Sequence, residues 1–157
     1  MKTNKTKMLL NAIPVILLLA LTIWMAMIYP DISEIIPTHY NMAGDVDGWS
    51  SRSTIWILVG VSWGVCLMLI GMTLIPKKIM IKHMNGFDNC TEEKKEKAFD
   101  ICMRMLQYIN IILTAMFCYM TVAIAFSYSS LVLSPFIIVM VAVTIVQTIR
   151  MLKIAHE

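Results

Sequence analysis

The sequence predicts an all-α integral membrane protein, folded as a four-helix bundle in a single domain, 1–157. Of its 157 residues, 59% are hydrophobic and only 15% are charged, and the mean hydropathy is +0.74. This composition excludes an ordinary soluble domain of the same size. Four apolar runs each approach the roughly 20 residues that a helix needs to cross a bilayer. They lie at about 8–29, 54–75, 101–126 and 131–149.

The first run is expected to be a signal anchor that stays in the mature chain. Three lysines precede it, and its apolar stretch is longer than the roughly 7–15 residues of a signal-peptide core. The second run contains Gly60, Gly64 and Gly71. Because residues four apart share a helix face, this spacing predicts a seam along which another helix packs closely.

The basic residues predict the orientation of the bundle. All but one of the 13 Lys and Arg residues lie at 2–7, 77–104 and 150–153, and Arg52 is the exception. Since positive segments stay in the cytoplasm, both termini and the 76–100 loop should be cytoplasmic. The acidic 30–53 loop should then lie outside.

The cytoplasmic loop mixes Lys with Glu over 92–97. This mixture is typical of a solvated helix face and does not indicate binding of nucleic acid. Asn89 followed by Glu92 predicts the start of the helix that enters the membrane. The exposed segment 77–100 also offers a surface for a cytoplasmic protein partner.

Polar residues line one face of the third run. They are Gln107, Asn110, Thr114, Cys118 and Thr121, spaced 3, 4, 4 and 3 apart. One interpretation is hydrogen bonding between helices, and the other is a polar path for a substrate or ion. The run holds no Asp, Glu, Lys or His at depth, which favours packing, because carriers usually need such a residue.

The outer stretch 37–52, PTHYNMAGDVDGWSSR, carries the most distinctive residues. Pro37 favours an extended backbone, Gly44 and Gly48 allow positive φ, and Asn, Asp and Gly together predict a compact folded turn. Trp49 is suited to the membrane surface, and Arg52 to a pair with Asp47 or a lipid phosphate.

Three chemical interpretations of this loop remain open. In the first, His39, Asn41 and Asp47 bond the loop's own backbone, with Ser51 or Ser53 as cap of the second helix. In the second, the loop holds a divalent cation, although its spacing is not that of an EF-hand. The third is catalysis, with His39 as base and Asp47 as its orienting partner. The ligands of the second interpretation would be His39, Asp45 and Asp47 with Asn41.

The loop resembles a known bacterial pattern, P-x-H-x-N-x-x-G-x-x-D-x-W-x-x-K/R. This pattern marks a membrane family known as domain of unknown function 1648, and it also occurs in the N-terminal part of SdpI-type immunity proteins. The resemblance covers about 14–57. It makes seven positions the candidate functional set: Pro37, His39, Asn41, Gly44, Asp47, Trp49 and Arg52.

The resemblance implies a small multi-pass protein of the bacterial inner membrane. It implies no established activity for these residues, and no cofactor is expected beyond the divalent cation considered above. We expect a role in sensing or resisting an envelope-active peptide or stress, with a secreted peptide or envelope protein as partner. The C-terminal signature of SdpI-type proteins is not found after Ile57. The alternative is a small transporter or membrane-complex subunit that uses the polar face of the third helix.

Overall fold

The computed structural model describes residues 2–81, 90–128 and 132–156. Four of the helices in this part of the chain are long and apolar enough to cross a membrane, which fits a multi-pass membrane protein. The elements in order are α1 (Lys2–Ile28), a 3-10 turn (Tyr29–Asp31), β1 (Ile35–Tyr40), β2 (Val46–Ser51), α2 (Thr54–Thr73), α3 (Lys77–Ile81), α4 (Glu92–Ala125) and α5 (Ser134–His156).

The two strands are a departure from the all-helical prediction. The outer loop is a two-stranded antiparallel hairpin, in which β1 pairs with β2. Neighbouring side chains of β1 hold it on the helices, because Ile36 and the motif residue Pro37 are both fully buried while Ile35 is 63% exposed. A strand with one anchored side can therefore form on top of the helices.

Helix α4 begins well before the predicted membrane span. It starts at Glu92, where the hydroxyl of Thr91 accepts a hydrogen bond from the Lys94 amide at 3.4 Å. Lys95 pairs with Glu92 one turn away at 3.0 Å. The cap is therefore Thr91, and the predicted cap Asn89 lies outside the described residues. A capped Glu- and Lys-rich segment is a good helix former in water, so the helix extends beyond its apolar part.

Helix α4 is the centre of the bundle. It packs against α1, α2 and α5, whereas α5 makes extensive contact with α4 alone among the described elements. Only 6% of the spanning part of α5 is buried, against 33% of the corresponding part of α4. The four helices thus form a three-helix core with α5 attached to one side.

The glycines of α2 do not form the predicted packing seam. A Cβ placed on Gly60, Gly64 or Gly71 would meet no atom within 4 Å, so the prediction of close helix contact there is wrong. Helix α2 packs through a different face that includes Val59, Cys66 and other buried residues. Spacing alone shows that the glycines share a face, but it does not show whether that face points inward.

Helices α1 and α4 are joined by an aromatic contact at one end of the bundle and by an ion pair at the other. At one end, called here the hairpin end, the rings of Trp24 in α1 and Phe126 after α4 lie 6.0 Å apart. At the opposite end, called the basic end, Lys7 of α1 pairs with Asp100 of α4 at 3.5 Å. The hairpin is therefore fixed on a bundle that is tied at both ends.

Candidate functional site

The hairpin has an anchored face and a face turned away from the bundle. Ile36 and Ile32 pack in one cluster with apolar side chains of all three core helices, among them Met25, Ile55 and Ile124. On the other side Asp47 and Trp49, two residues apart in β2, are both exposed, and Trp49 is 61% exposed. His39 reaches across to Asp47. We call His39, Asp47 and Trp49 the displayed face.

Asn41 closes the tip of the hairpin. Its side-chain Oδ1 accepts hydrogen bonds from the amides of Ala43 at 2.9 Å and Asp45 at 3.0 Å. Its backbone amide donates to the Asp45 carbonyl at 2.8 Å. Gly44 has φ 91°, a conformation that residues with a Cβ rarely adopt. Both motif residues therefore act by building the turn, as the first interpretation of the loop requires.

Gly48 lies directly opposite His39 in a hairpin that is irregular on both sides of this pair. A Cβ on Gly48 would come within 2.7 Å of the Cβ of His39. The sequence predicted that Gly48 is needed for positive φ. The structure gives another reason, which is the close approach of the two strands that seats the His39 side chain.

The His39 ring is oriented by Asp47. The Nδ1 atom of His39 contacts Oδ1 of Asp47, and the two side chains are 71% and 45% exposed. A carboxylate on Nδ1 fixes the plane of the ring and turns Nε2 outward. The pair predicted from the sequence is thus assembled at the surface, where it can hydrogen-bond an incoming group.

Arg52 fastens the base of the hairpin to α1. Its Nη1 atom donates to the carbonyls of Ile32 at 2.9 Å and Pro30 at 3.2 Å, and its guanidinium lies 5.0 Å from the ring centre of Tyr29. The predicted pair with Asp47 is wrong. Carbonyls that follow the end of a helix lack partners of their own and carry partial negative charge, so they attract this cation.

One of the serines predicted to cap α2 is at the N-cap position, but it does not cap the helix through its side chain. Ser53 occupies the N-cap position, but its side chain makes no capping hydrogen bond. Its hydroxyl donates instead to the hydroxyl of Ser51 at 3.2 Å. The first turn of α2 therefore gains nothing from a side-chain cap at this position.

A groove separates the hairpin tip from the α4–α5 connection. Its volume is about 520 Å³, and Tyr40, Met120, Leu133 and Ile137 are among its lining residues. The Tyr40 hydroxyl donates to the carbonyl of Tyr128 at 3.3 Å. Burial raises the pKa of Tyr40, with a smaller contribution from nearby Tyr119.

Residues 15–62 match the family model of DUF1648, a domain of unknown function. The resemblance drawn from the loop motif is therefore confirmed for this part of the chain. The matched part, called here the DUF1648 segment, contains the second half of α1, the whole hairpin and the first half of α2. No curated protein and no solved structure matches the chain.

The polar face of α4 points into the bundle. Its hydrogen-bond partners Asn11 and Cys66, on other helices, lie outside the DUF1648 segment. Gln107, Asn110, Thr114 and Thr121 are each at most 2% exposed. Gln107 donates to Asn11 of α1 at 2.8 Å, and Asn110 donates to the Cys66 carbonyl of α2 at 3.3 Å. Thr121 donates within its own helix, to Phe117 at 2.8 Å. This face therefore holds three helices together.

The structure does not assemble the predicted cation site. Within the described ranges, no group of three or more His, Cys, Asp and Glu side chains could hold a metal ion. His39 and Asp47 meet, while Asp45 takes part in the tip through its backbone. The hairpin register explains this, because Asp45 precedes β2 and Asp47 lies within it.

The structural roles of two residues at the site were not predicted from the sequence. Tyr40 was not singled out, although it joins the hairpin to the α4–α5 connection, and Gly48 was given the wrong role. The apolar pair Ile35-Ile36 before Pro37 and the Asn41–Gly44 turn could have indicated a hairpin. Only the strand register, however, shows that Gly48 faces His39.

Proposed function

We propose that the hairpin is the recognition element of a bacterial inner-membrane protein that senses or resists a cationic, amphipathic peptide in the envelope. The supporting observation is that some residues of the motif build the hairpin while others are exposed to solvent. Asn41, Gly44 and Arg52 each have a visible part in building the hairpin, whereas the displayed face is left exposed. Exposed residues that neither close the turn nor anchor the hairpin to the helices are the natural candidates for binding.

The proposed orientation rests on charge. Because 12 of the 13 Lys and Arg residues lie in the segments 2–7, 77–104 and 150–153, we propose that the basic end is cytoplasmic, together with both termini. The hairpin then lies outside, within reach of secreted peptides. Helix α3 and the start of α4, the described parts of the segment 77–100, are at this end, where the segment can contact a protein partner and pass a signal inward.

The chemistry of the hairpin end fits a cationic peptide. Asp31, Glu34, Asp45 and Asp47 are exposed there. The charge of Arg52 is directed toward backbone carbonyls, which leaves the acids dominant. Trp49 and Met42 add exposed apolar surface, and the neighbouring groove can accept a side chain. Acidic and aromatic groups side by side favour a basic peptide with apolar residues.

The role of SdpI-type immunity proteins supports this proposal by analogy. Those proteins share the motif in their N-terminal part, and their protective role concerns a secreted toxin. For the present chain the analogy applies to the hairpin only, since their C-terminal signature is not found. Protection of the producing cell, or signalling to a cytoplasmic partner, would both begin with recognition at the hairpin.

The test is peptide binding to the protein in nanodiscs. A fluorescent cationic amphipathic peptide should bind the wild type and bind Trp49→Ala about tenfold more weakly, the usual cost of losing an aromatic anchor. Asp47→Asn should weaken binding chiefly by slowing association. Equal affinity of wild type and both variants, at equal fold content, would refute the proposal.

Asn110→Leu serves as the matched control and addresses the transport alternative. That alternative is favoured by one observation, the buried carbonyl oxygens Oε1 of Gln107 and Oδ1 of Asn110, which have no hydrogen-bond donor among the described residues. A recognition protein should tolerate Asn110→Leu in the binding assay. A transporter should lose flux in that variant and keep it in Trp49→Ala.

A catalytic role for the displayed face predicts a different result for two variants. If His39 acted as a base, His39→Gln would abolish turnover while Trp49→Ala would leave much of it. In a recognition site, His39→Gln keeps a polar side chain and should bind peptide nearly as well as the wild type. The two variants therefore separate catalysis from binding.

A further inference from the structure

A second cavity lies at the basic end, between the start of α1 and the start of α4. Its volume is about 280 Å³. Asp100, Arg104 and Tyr108 line it from α4 at intervals of four residues, and Lys7 lines it from α1. None of these residues belongs to the hairpin, and of them only Asp100 lies in the segment 77–100 considered above.

The charges around this cavity leave one cation uncompensated. Asp100 is shared by Lys7 at 3.5 Å and Lys77 at 4.0 Å, and Lys77 also pairs with Glu96 at 2.9 Å. Arg104 is exposed and has neither an ion pair nor a hydrogen bond to any described residue. The cavity therefore presents a guanidinium with all of its donors available to an anion.

A buried acceptor also lines the cavity. Gln107 is 2% exposed, and its Oε1 has no hydrogen-bond donor in the described part of the protein. Its Nε2 donates to the Lys7 carbonyl at 3.0 Å and to Asn11 Oδ1 at 2.8 Å. A buried acceptor without a donor is costly, which indicates that a bound group supplies one.

The orientation of the Gln107 amide is fixed by a chain of hydrogen bonds that leads from Gln107 through Asn11 and Thr73 to Ile70. Asn11 Nδ2 donates to the hydroxyl of Thr73 at 3.0 Å, and that hydroxyl donates to the Ile70 carbonyl at 2.8 Å. Because each donor in this chain already meets an acceptor, reversing the Gln107 amide would place an oxygen against two oxygens. The free position of Gln107 is thus an oxygen.

We propose that this cavity binds the headgroup of an anionic phospholipid that carries hydroxyl groups, as phosphatidylglycerol does. The phosphate lies on Arg104 and Lys7, and a headgroup hydroxyl donates to the buried Oε1 of Gln107 after the side chains that cover this atom move apart. Basic pockets between membrane helices are known to take such headgroups. Leu10 of α1 also lines the cavity and offers apolar surface to the start of an acyl chain.

The test is a lipid titration of the detergent-purified protein followed by native mass spectrometry. Phosphatidylglycerol should bind the wild type at least tenfold more tightly than phosphatidylcholine, whose headgroup has neither net charge nor a donor. Arg104→Gln should lose about tenfold in affinity for phosphatidylglycerol. The matched control is Arg150→Gln, which removes an exposed arginine of α5 that does not line the cavity and should bind as the wild type does.

A second variant and a soluble competitor complete the experiment. Tyr108→Phe removes one hydroxyl from the cavity and should weaken phosphatidylglycerol binding, which keeps the test valid if Arg104→Gln folds poorly. Glycerol phosphate in solution should not displace the lipid. Displacement by glycerol phosphate would assign the cavity to a soluble anion, and equal binding of the two lipids, or equal loss in Arg104→Gln and Arg150→Gln, would overturn the proposal.

Discussion

Gly48 is a residue whose side chain must be absent for the site to exist. Its ideal Cβ would lie 2.7 Å from the Cβ of His39, so alanine forces the two strands apart. We expect Gly48→Ala to destabilise the hairpin by about 1–3 kcal/mol, the usual range for overpacking. The effect should appear as faster amide hydrogen exchange over 35–51.

Gly60→Ala is the matched control for this prediction. A Cβ at Gly60 meets no atom within 4 Å, and the residue lies inside a helix. Alanine should therefore stabilise α2 by up to about 1 kcal/mol through its higher helix propensity. If Gly48→Ala were as stable as Gly60→Ala, the close approach to His39 would be without consequence.

The second prediction at the scale of the single residue concerns Arg52. Arg52→Gln should destabilise the protein by about 1.5–3 kcal/mol, because a charged donor to carbonyls is lost at the base of the hairpin. Arg52→Lys keeps the charge but not the guanidinium fork, so its thermal unfolding midpoint should lie between those of the wild type and Arg52→Gln. A midpoint equal to the wild type would mean that charge alone suffices.

The hairpin is the element on which the motif acts as a whole. Asn41→Ala should loosen the tip by about 1–2 kcal/mol, since two amides lose the side-chain oxygen that accepts their hydrogen bonds. Asn41→Asp keeps an oxygen in that place and should behave nearly as the wild type. Nuclear magnetic resonance of the Ala43 and Asp45 amides would distinguish the two, and an unchanged Ala variant would remove Asn41 from the turn.

Part of this element was predictable from the sequence. Pro37, Asn41 and Gly44 indicate an extended segment and a turn through local backbone preferences, and these preferences operate in the folded hairpin. The partner of Arg52 was not predictable, because Asp47 and the end of α1 are both within reach of a long side chain. Which of them wins depends on the angle at which the hairpin meets the bundle, and that angle is set by contacts such as those of Ile36.

At the scale of the whole molecule, the proposed orientation predicts a labelling pattern. Met42 is fully exposed at the hairpin tip, and Cys90 lies just before α4 at the basic end. In intact cells, a maleimide that cannot cross membranes should label Met42→Cys. It should reach Cys90 only after the membrane is opened. The reverse pattern would invert the topology and remove secreted peptides from the reach of the hairpin.

The four membrane helices were predictable because apolar length is a local property that a single run of residues carries. Their arrangement was not. The polar face from Gln107 to Thr121 indicated that this helix meets others, yet nothing in the sequence shows that α4 packs against α1, α2 and α5, whereas α5 makes extensive contact, within the described residues, with α4 alone. The inward face of α2 was also hidden, since Val59 and Gly60 are adjacent in the sequence and point in different directions.

The one-sided attachment of α5 has a consequence for how the protein is made. A ribosome delivers α1, the hairpin, α2 and α4 before α5, and the chain generally organises in that order. The hydrogen bonds from Gln107 to Asn11 and from Asn110 to Cys66 need only those earlier segments. The hydrogen bonds that join α1, α2 and α4 can thus form before α5 has been made, and α5 then replaces lipid with protein on one side of α4.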